Sequence, residues 1–341
     1  MCRYQTILRM VSGKPAETES WKRELAASFT GVSALLAALG LKAADIPDLD
    51  PNPATFRLLV PPVFAGLMRM GDPDDPLLRQ VLPRLIEQAQ VDGYVTDPVD
   101  DRSADCGHGL LRKYGGRSLL IATGACAIHC RYCFRRHFTY ASLGTVRSRL
   151  DAASEHIAAD PSVSELILSG GDPLLLDDRT LEQIVLRLAT IGHMRRLRIH
   201  TRLPVVLPTR VTERLCAILA SSGLMTVVVI HANHPRELGD AAEQALFDLR
   251  RAGVTLLNQS VLLHGVNDDP ETLCQLSERL LQCGTLPYYL HQLDPVAGAA
   301  HFQVSDHDAI RLIETLRQQL PGYLLPRLVR EIPGAASKMP L

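Results

Sequence analysis

Apolar and polar positions along this chain follow two regimes that meet near residue 110. Before that point, apolar residues recur at helical spacing and are cut by proline. Residues 21–39 are amphipathic with a helical period, and Gly40 is placed to end that helix. Pro47, Pro51, Pro53, Pro61 and Pro62 punctuate the next stretch, and residues 76–90 predict another helix. From Arg117 onward short apolar runs alternate with longer helical patterns. The runs at 118–122, 165–168, 197–200, 226–231, 255–261 and 287–291 read as strands. The intervening patterns at 147–159, 179–190, 212–221, 240–251 and 270–282, with another at 306–319, read as helices.

The strands are read as lacking polar alternation, which fits strands covered on both faces. Strand–helix alternation of this length implies parallel βαβ units with right-handed crossovers. Six such units build either a partial barrel or a doubly wound sheet. The positions of the polar residues choose between them. Cysteines follow the first strand, Gly170-Gly171-Asp172 the second, His200-Thr201-Arg202 the third and His231-Ala232-Asn233 the fourth. Asn258-Gln259-Ser260 lies within the fifth, and His291 to Asp294 ends the sixth. A ring of such residues suits a barrel, whose sites lie at the C-terminal strand ends, better than the single switch point of a doubly wound sheet. The expectation is an α/β fold with three regions. A mainly helical part spans 1–110, a partial (β/α)6 barrel spans 111–304, and a helix with a terminal segment spans 305–341.

Composition narrows the classes. The 341 residues are 46% hydrophobic, enough to fill the core of such a barrel. A net charge of −1 gives no electrostatic footprint for nucleic acid or an anionic membrane. The N-terminus lacks the apolar run of a signal peptide, and no stretch of apolar residues is long enough to span a bilayer. A cytoplasmic protein without nucleic-acid or membrane partners is expected. Among 36 lysines and arginines, lysine occurs only at 14, 22, 42, 113 and 338, so few amines are available for covalent cofactor chemistry.

Cys126, Cys130 and Cys133 are spaced C-x3-C-x2-C. Three thiolates are one short of the four that usually hold an iron–sulfur cube, and a reactive metal site keeps a position open. Spacing alone leaves a second reading. Structural zinc, with His129 or His137 as fourth ligand, would give a binding protein without catalysis. Disulfides are disfavoured, because the remaining cysteines are scattered along a long chain. Cys216, Cys274 and Cys283 fall on helical patterns and read as small core residues, while Cys106 has no assigned role. Lys338 follows Gly334-Ala335-Ala336-Ser337, small residues that permit a close approach to a cofactor.

The three-cysteine segment resembles the signature of radical S-adenosylmethionine (SAM) enzymes, in which SAM's amino and carboxylate groups occupy the open iron. Gly170-Gly171-Asp172-Pro173 is similar to their Gly-Gly-Glu element, with Asp for Glu; its glycines allow close approach, and free amides there would hold the amino-acid part of SAM. From about residue 90 to the end, the chain resembles the lysine 2,3-aminomutase family. The matching segments include Lys113-Tyr114-Gly115-Gly116-Arg117, the cysteine loop, Asn233-His234-Pro235 and the stretch around Lys338.

The resemblance implies a [4Fe-4S] cluster on the three cysteines and pyridoxal 5′-phosphate (PLP) on Lys338. It places Tyr114, Arg117 and Gln259 around PLP or SAM. Arg135 would take the substrate carboxylate with a bidentate fork, and Asp294, with Glu331 beside it, the substrate ε-ammonium. The implied activity is isomerisation of L-lysine to β-lysine, with an external electron donor such as flavodoxin. Three departures stand out: Glu331 where the free-lysine enzymes have Asp, Lys113 where they have Arg, and a stop at Leu341 where they continue into a tail that assists assembly. The short length, Glu331 and the early stop together resemble the narrower branch that makes (R)-β-lysine for elongation factor P, with a functional link to the ligase that attaches it. A homo-oligomer stays an open expectation. Other substrates of the same chemistry are arginine and glutamate, the latter disfavoured by two anions at 294 and 331.

Overall fold

Strands form where short apolar runs predicted them, and they add to the sheet in the order they leave the chain. The computed structural model describes residues 15–341; Lys14 and the N-terminus read above as leaderless lie outside the described residues. The strands are β1 (Leu110–Tyr114), β2 (Arg117–Thr123), β3 (Glu165–Gly170), β4 (Arg196–Thr201), β5 (Met225–Ile230), β6 (Thr255–Val261), β7 (Leu286–His291), β8 (Arg327–Arg330) and β9 (Met339–Pro340). They make one sheet in sequential order, parallel from β2 to β8, with β1 and β9 antiparallel at its edges. A doubly wound sheet reverses its strand order at a switch point. No reversal occurs here, so the sheet is the predicted partial barrel.

Helices α1 (Pro15–Ala26) and α2 (Val32–Ala38) precede the sheet. Each of β2 to β7 is then followed by a helix: α3 (Val146–Ala159), α4 (Asp178–Ala189), α5 (Glu213–Ala220), α6 (Asp240–Arg251), α7 (Pro270–Gln282) and α8 (Asp306–Gln319). Their starts carry the chemistry that starts helices. Thr145, Asp177, Thr212, Asp269 and Ser305 each accept a hydrogen bond from a first-turn amide.

The N-terminal expectations need correction. Residues 21–39 form two helices, not one. The chain leaves α1 so that Phe29 can exchange backbone hydrogen bonds with Val60 at 2.8 and 3.0 Å. Residues 76–90 hold only one helical turn, Pro76–Arg79, and a later 3-10 turn, Leu85–Gln88. Pro83 lies between them and cannot continue a helix. The short strands β1, β8 and β9 escaped the sequence reading, since two to five residues show no usable period.

Two strands, β4 and β6, alternate where apolar continuity was expected. In β4, Leu197 and Ile199 join the core, while Arg198 and His200 line an interior cavity. The inner face of this barrel surrounds a cavity lined by polar and apolar side chains together, so polar residues alternate in β4 and β6 while β5 stays mostly apolar.

One apolar cluster joins the N-terminal region to the barrel, from Leu35 and Phe64 to Leu168, Leu197 and Val228. A second lies under α8 and β8, around Leu290, Leu316 and Leu328. Among the described residues, no helix is long and apolar enough to cross a membrane. Because Phe64 is fully buried in the shared cluster, Phe64→Ala is expected to cost about 3–5 kcal/mol, as large aromatic truncations do. The loss should appear in denaturant unfolding as an earlier midpoint of one cooperative transition. A separate early transition of the N-terminal region would contradict a shared core.

Candidate active site

The barrel encloses a cavity of about 300 Å³, and every residue singled out in the sequence borders it: the three cysteines, Gly170, Gly171, Asp172, Tyr114, Arg117, Gln259, Arg135, Asp294, Glu331 and Lys338. The site does not sit only beyond the strand ends. Arg117 opens β2 and Gln259 lies inside β6, so the cavity runs along the lumen.

The cysteine loop leaves β2 and is fixed by backbone contacts. Gly171 N–H donates to Thr123 O and Asp172 N–H to Ala125 O, both at 2.7 Å. These amides were expected to be free for SAM; they are committed to the loop instead. Glycine is required for the approach. A Cβ at 171 would lie 2.2 Å from Ala125 O, and Gly170 has φ +118 with Thr123 O only 2.6 Å from its Cβ position. The Asp172 carboxylate then ties β3 to β4. It accepts from Thr201 Oγ1 and Arg202 N at 2.7 Å and from Leu174 N at 3.1 Å. Burial pushes its carboxyl up to about 6 despite these donors.

The N-terminal region supports the loop from outside. Glu87 binds both Arg131 and Arg136, and Arg131 also donates to Phe56 O at 2.6 Å.

The three thiols are half-buried and line one end of the cavity. Burial pushes the thiols of Cys126 and Cys133 up, Cys133 to about 11, and neighbouring cysteines add to the effect. Cys130 Sγ accepts from Arg202 Nη1 at 2.7 Å. The zinc alternative finds no support in the histidines. His129 stacks on Phe56 with its Nδ1 2.8 Å from Arg57 O, and His137 Nε2 is 3.0 Å from Ala297 O. Among the described residues, no three His, Cys, Asp or Glu side chains close around a point that one ion would fill. A cube spreads its thiolates over separate irons, so it does not require the three to close around one point as a tetrahedral ion does. Cys106 is exposed and away from the cavity, and Cys283 is buried at the end of α7.

The second end of the cavity is built by the terminal hairpin. Val329 pairs with Pro340 and Arg330 with Met339, so the next residues, Glu331 and Lys338, face each other. Lys338 Nζ donates to Glu331 Oε2 at 2.7 Å. Tyr114 OH donates to Glu331 Oε1 at 2.6 Å, linking β1 to the opposite edge of the open sheet. Against burial, which raises it, Lys338 and then Tyr114 hold the Glu331 carboxyl below its ordinary value. Glu331, expected to meet the substrate, is therefore the counter-ion of Lys338 in this structure.

Arg135 also differs from expectation. Its Nε donates to Asp101 Oδ2 at 2.7 Å and its Nη1 to Ser169 Oγ at 3.1 Å. Nε and Nη1 are thus engaged within the protein, and Nη2 remains for a carboxylate. Asp101 is buried and also binds Lys113 Nζ at 2.8 Å. It sits in a polar loop without a motif, so sequence reasoning missed it. By contrast, Asp294 has no hydrogen bond or ion pair to its carboxylate among the described residues. Burial holds its carboxyl up at about 7, with Lys338 opposing and Glu331 adding.

Arg117 packs over the Tyr114 ring at 4.6 Å, Lys338 Nζ lies 5.8 Å from the centre of the Tyr289 ring, and Gln259 Nε2 is 2.9 Å from His231 Nε2. His200 and His291 line the same cavity, and the Nε2 of each is buried without a partner. Burial keeps both imidazoles neutral. Orphaned nitrogens facing a cavity fit a bound ligand. The alternation of β4 was the available signal for His200.

A sequential parallel half-barrel with three thiols at one end of its lumen defines a radical SAM enzyme. The Radical SAM superfamily model matches residues 120–276. The L-lysine 2,3-aminomutase of Escherichia coli (strain K12) is 46% identical over 324 residues, covering 95% of this chain and 94% of the relative. That of Haemophilus influenzae is 43% identical, covering 97% and 98%, and that of Clostridium subterminale is 36% identical, covering 84% and 69%. The chain belongs to the L-lysine 2,3-aminomutase family. With the family come the cluster, SAM and PLP expected from the sequence.

Gly171→Ala should prevent docking of the cysteine loop. Iron bound after anaerobic reconstitution is expected to fall well below the wild-type content, whereas Gly192→Ala, whose Cβ meets nothing within 4 Å, should load normally. Equal iron in both variants would show that the approach at 171 does not form the site.

Proposed function

We propose that this chain isomerises L-lysine to β-lysine, with the barrel of 111–304 carrying the chemistry, Phe56 and Glu87 of the 1–110 region bracing the cysteine loop and 305–341 supplying the PLP lysine. The observation that carries the reading is the joining, in one lumen, of three thiols with a lysine and an unpaired carboxylate. When bound, the cluster and SAM supply the means of hydrogen abstraction, and PLP the ring over which nitrogen migrates.

The chain's own residues bind, orient and exclude water. Cys126, Cys130 and Cys133 hold the cluster. Gly170, Gly171 and Asp172 shape the wall against which SAM lies, with Gln259 oriented by His231. Lys338 binds PLP, and Arg117 offers a cation to its phosphate beside Tyr114. Arg135, fixed by Asp101, presents its free end to the substrate carboxylate. Asp294 takes the ε-ammonium, and Glu331 joins it whenever Lys338 nitrogen is engaged elsewhere. The surrounding lumen keeps water and oxygen from radicals.

Glu331, where the resemblance gives the free-lysine enzymes Asp, supports the R product and its use on elongation factor P through a ligase. A low-potential donor such as a flavodoxin supplies electrons.

The decisive assay is anaerobic, with lysine, SAM, PLP and reductant, and chiral analysis of the product. (R)-β-lysine is expected; absence of any β-lysine from iron-loaded protein would refute the activity, and the S form would refute the branch. Borohydride treatment with PLP should label the C-terminal peptide at Lys338. A label on Lys113 would move the cofactor.

The pH dependence follows from Asp294. Its carboxyl is held at about 7 in the free protein, so attraction for the ammonium is present above that pH and lost as pH falls through it. Since kcat/KM reports groups of the free enzyme, kcat/KM for lysine should decline below about pH 7. Asp294→Asn should lower it by roughly two to four powers of ten, the cost of breaking a buried ion pair (about 3–5 kcal/mol), and remove that acid limb. An unchanged acid limb in Asp294→Asn would assign it to another group.

A further inference from the structure

Beneath Cys130 lies a buried polar cluster that the scheme above leaves unused. Arg202 follows β4 and is 5% exposed. Its Nη1 donates to Cys130 Sγ at 2.7 Å, and its Nη2 donates to Gln80 Oε1 at 2.7 Å and Glu237 Oε2 at 2.9 Å. Glu237 is fully buried, and its Oε1 accepts from Gln80 Nε2 at 2.9 Å and from the amides of Asn233 and His234 at 3.0 and 3.1 Å. The backbone N–H of Arg202 is held by Asp172 at 2.7 Å. The rings of Phe64 and Tyr132 stand 5.3 and 5.8 Å from the guanidinium. Groups from the N-terminal region, the cysteine loop, the loop after β3 and the segment after β5 thus hold this cation against the sulfur.

We propose that Arg202 is a positioning residue for reduction of the cluster: its N–H···S bond and its charge draw electron density from the Cys130 thiolate and raise the cluster's reduction potential. The inference rests on Cys130 being a cluster ligand. Reduction transfers one electron from an external low-potential one-electron donor to the thiolate-held cluster, with no proton taken up. The added negative charge is stabilised by a fixed cation in a weakly screened interior, and hydrogen bonds to cluster sulfurs are among the terms that set such potentials. Glu237 opposes the effect, because its carboxylate partly neutralises the guanidinium. The two side chains therefore set the potential in opposite directions.

The test is an anaerobic redox titration of reconstituted wild-type, Arg202→Met, Arg202→Lys and Glu237→Gln proteins, following visible absorbance and the electron paramagnetic resonance signal at matched iron content. Arg202→Met is expected to be reduced to an extent about tenfold lower at a fixed solution potential, a shift of ~59 mV to more negative values for a one-electron couple. Arg202→Lys should shift less, and Glu237→Gln should shift to more positive values. A purely structural role would change iron content without moving the midpoint of what remains. An unchanged midpoint in Arg202→Met at wild-type iron content overturns the proposal. If Arg202→Met loads no cluster, Glu237→Gln decides, and an unchanged midpoint there overturns it. Failure of the underlying assignment would look different: Cys130→Ala would bind iron as well as wild type.

Discussion

The chemistry of this chain depends on one approach of backbone to backbone. Two amides of the loop after β3, at Gly171 and Asp172, hold the start of the cysteine loop at 2.7 Å each. A short polar bond of this kind fixes direction as well as distance. Because the same loop continues into the Asp172 carboxylate, which grips the end of β4, the cysteine loop, the Gly-Gly-Asp turn and Arg202 are positioned by a single network. A displacement at 171 would therefore move parts that sequence motifs treat as separate. The glycines are required by a steric limit, since backbone oxygens occupy the space where a Cβ would go.

An open barrel leaves two sheet edges, and unpaired edges are a liability. Here β1 covers one edge and β9 the other, and side chains bridge the gap between them through Tyr114, Glu331 and Lys338. The contact that closes the seam is also the contact that places the proposed PLP lysine. The short hairpin from β8 to β9 thus has a structural and a chemical task at once. Its register, rather than any property of the tail alone, brings Lys338 opposite Glu331.

Much of the barrel was legible because six strands and six helices are long enough to express a period, and their bounds agree with the sequence to within about two residues. The site was legible through unusual spacing, as in the cysteines, and through unusual context, as in Lys338. What stayed hidden has two physical causes. Short elements such as β1 and β9 exist only through pairing, which no local pattern encodes. Partnerships between distant residues are equally silent in one dimension: Asp101 with Arg135, Glu87 with Arg131, Glu237 with Arg202. For the same reason the sequence assigned Glu331 to the substrate and Gly171 amide to SAM, while the fold commits both to neighbours within the protein.

The two lysines of the lumen show how such commitments decide roles. Lys113 and Lys338 both border the cavity. Lys113 Nζ is fixed by Asp101 Oδ1 at 2.8 Å and Val99 O at 2.6 Å, with Glu331 at 3.8 Å. Two close acceptors leave it little freedom, whereas covalent capture of a carbonyl needs an amine that can move. Lys338 has one close partner, Glu331, and its side chain is 23% exposed on a terminal hairpin. Replacing that one contact frees the nitrogen without unmaking a buried pair. The same event leaves Glu331 with an open oxygen near Asp294. In the proposed scheme, engagement of the lysine and preparation of the ammonium site would thus be coupled through this single carboxylate.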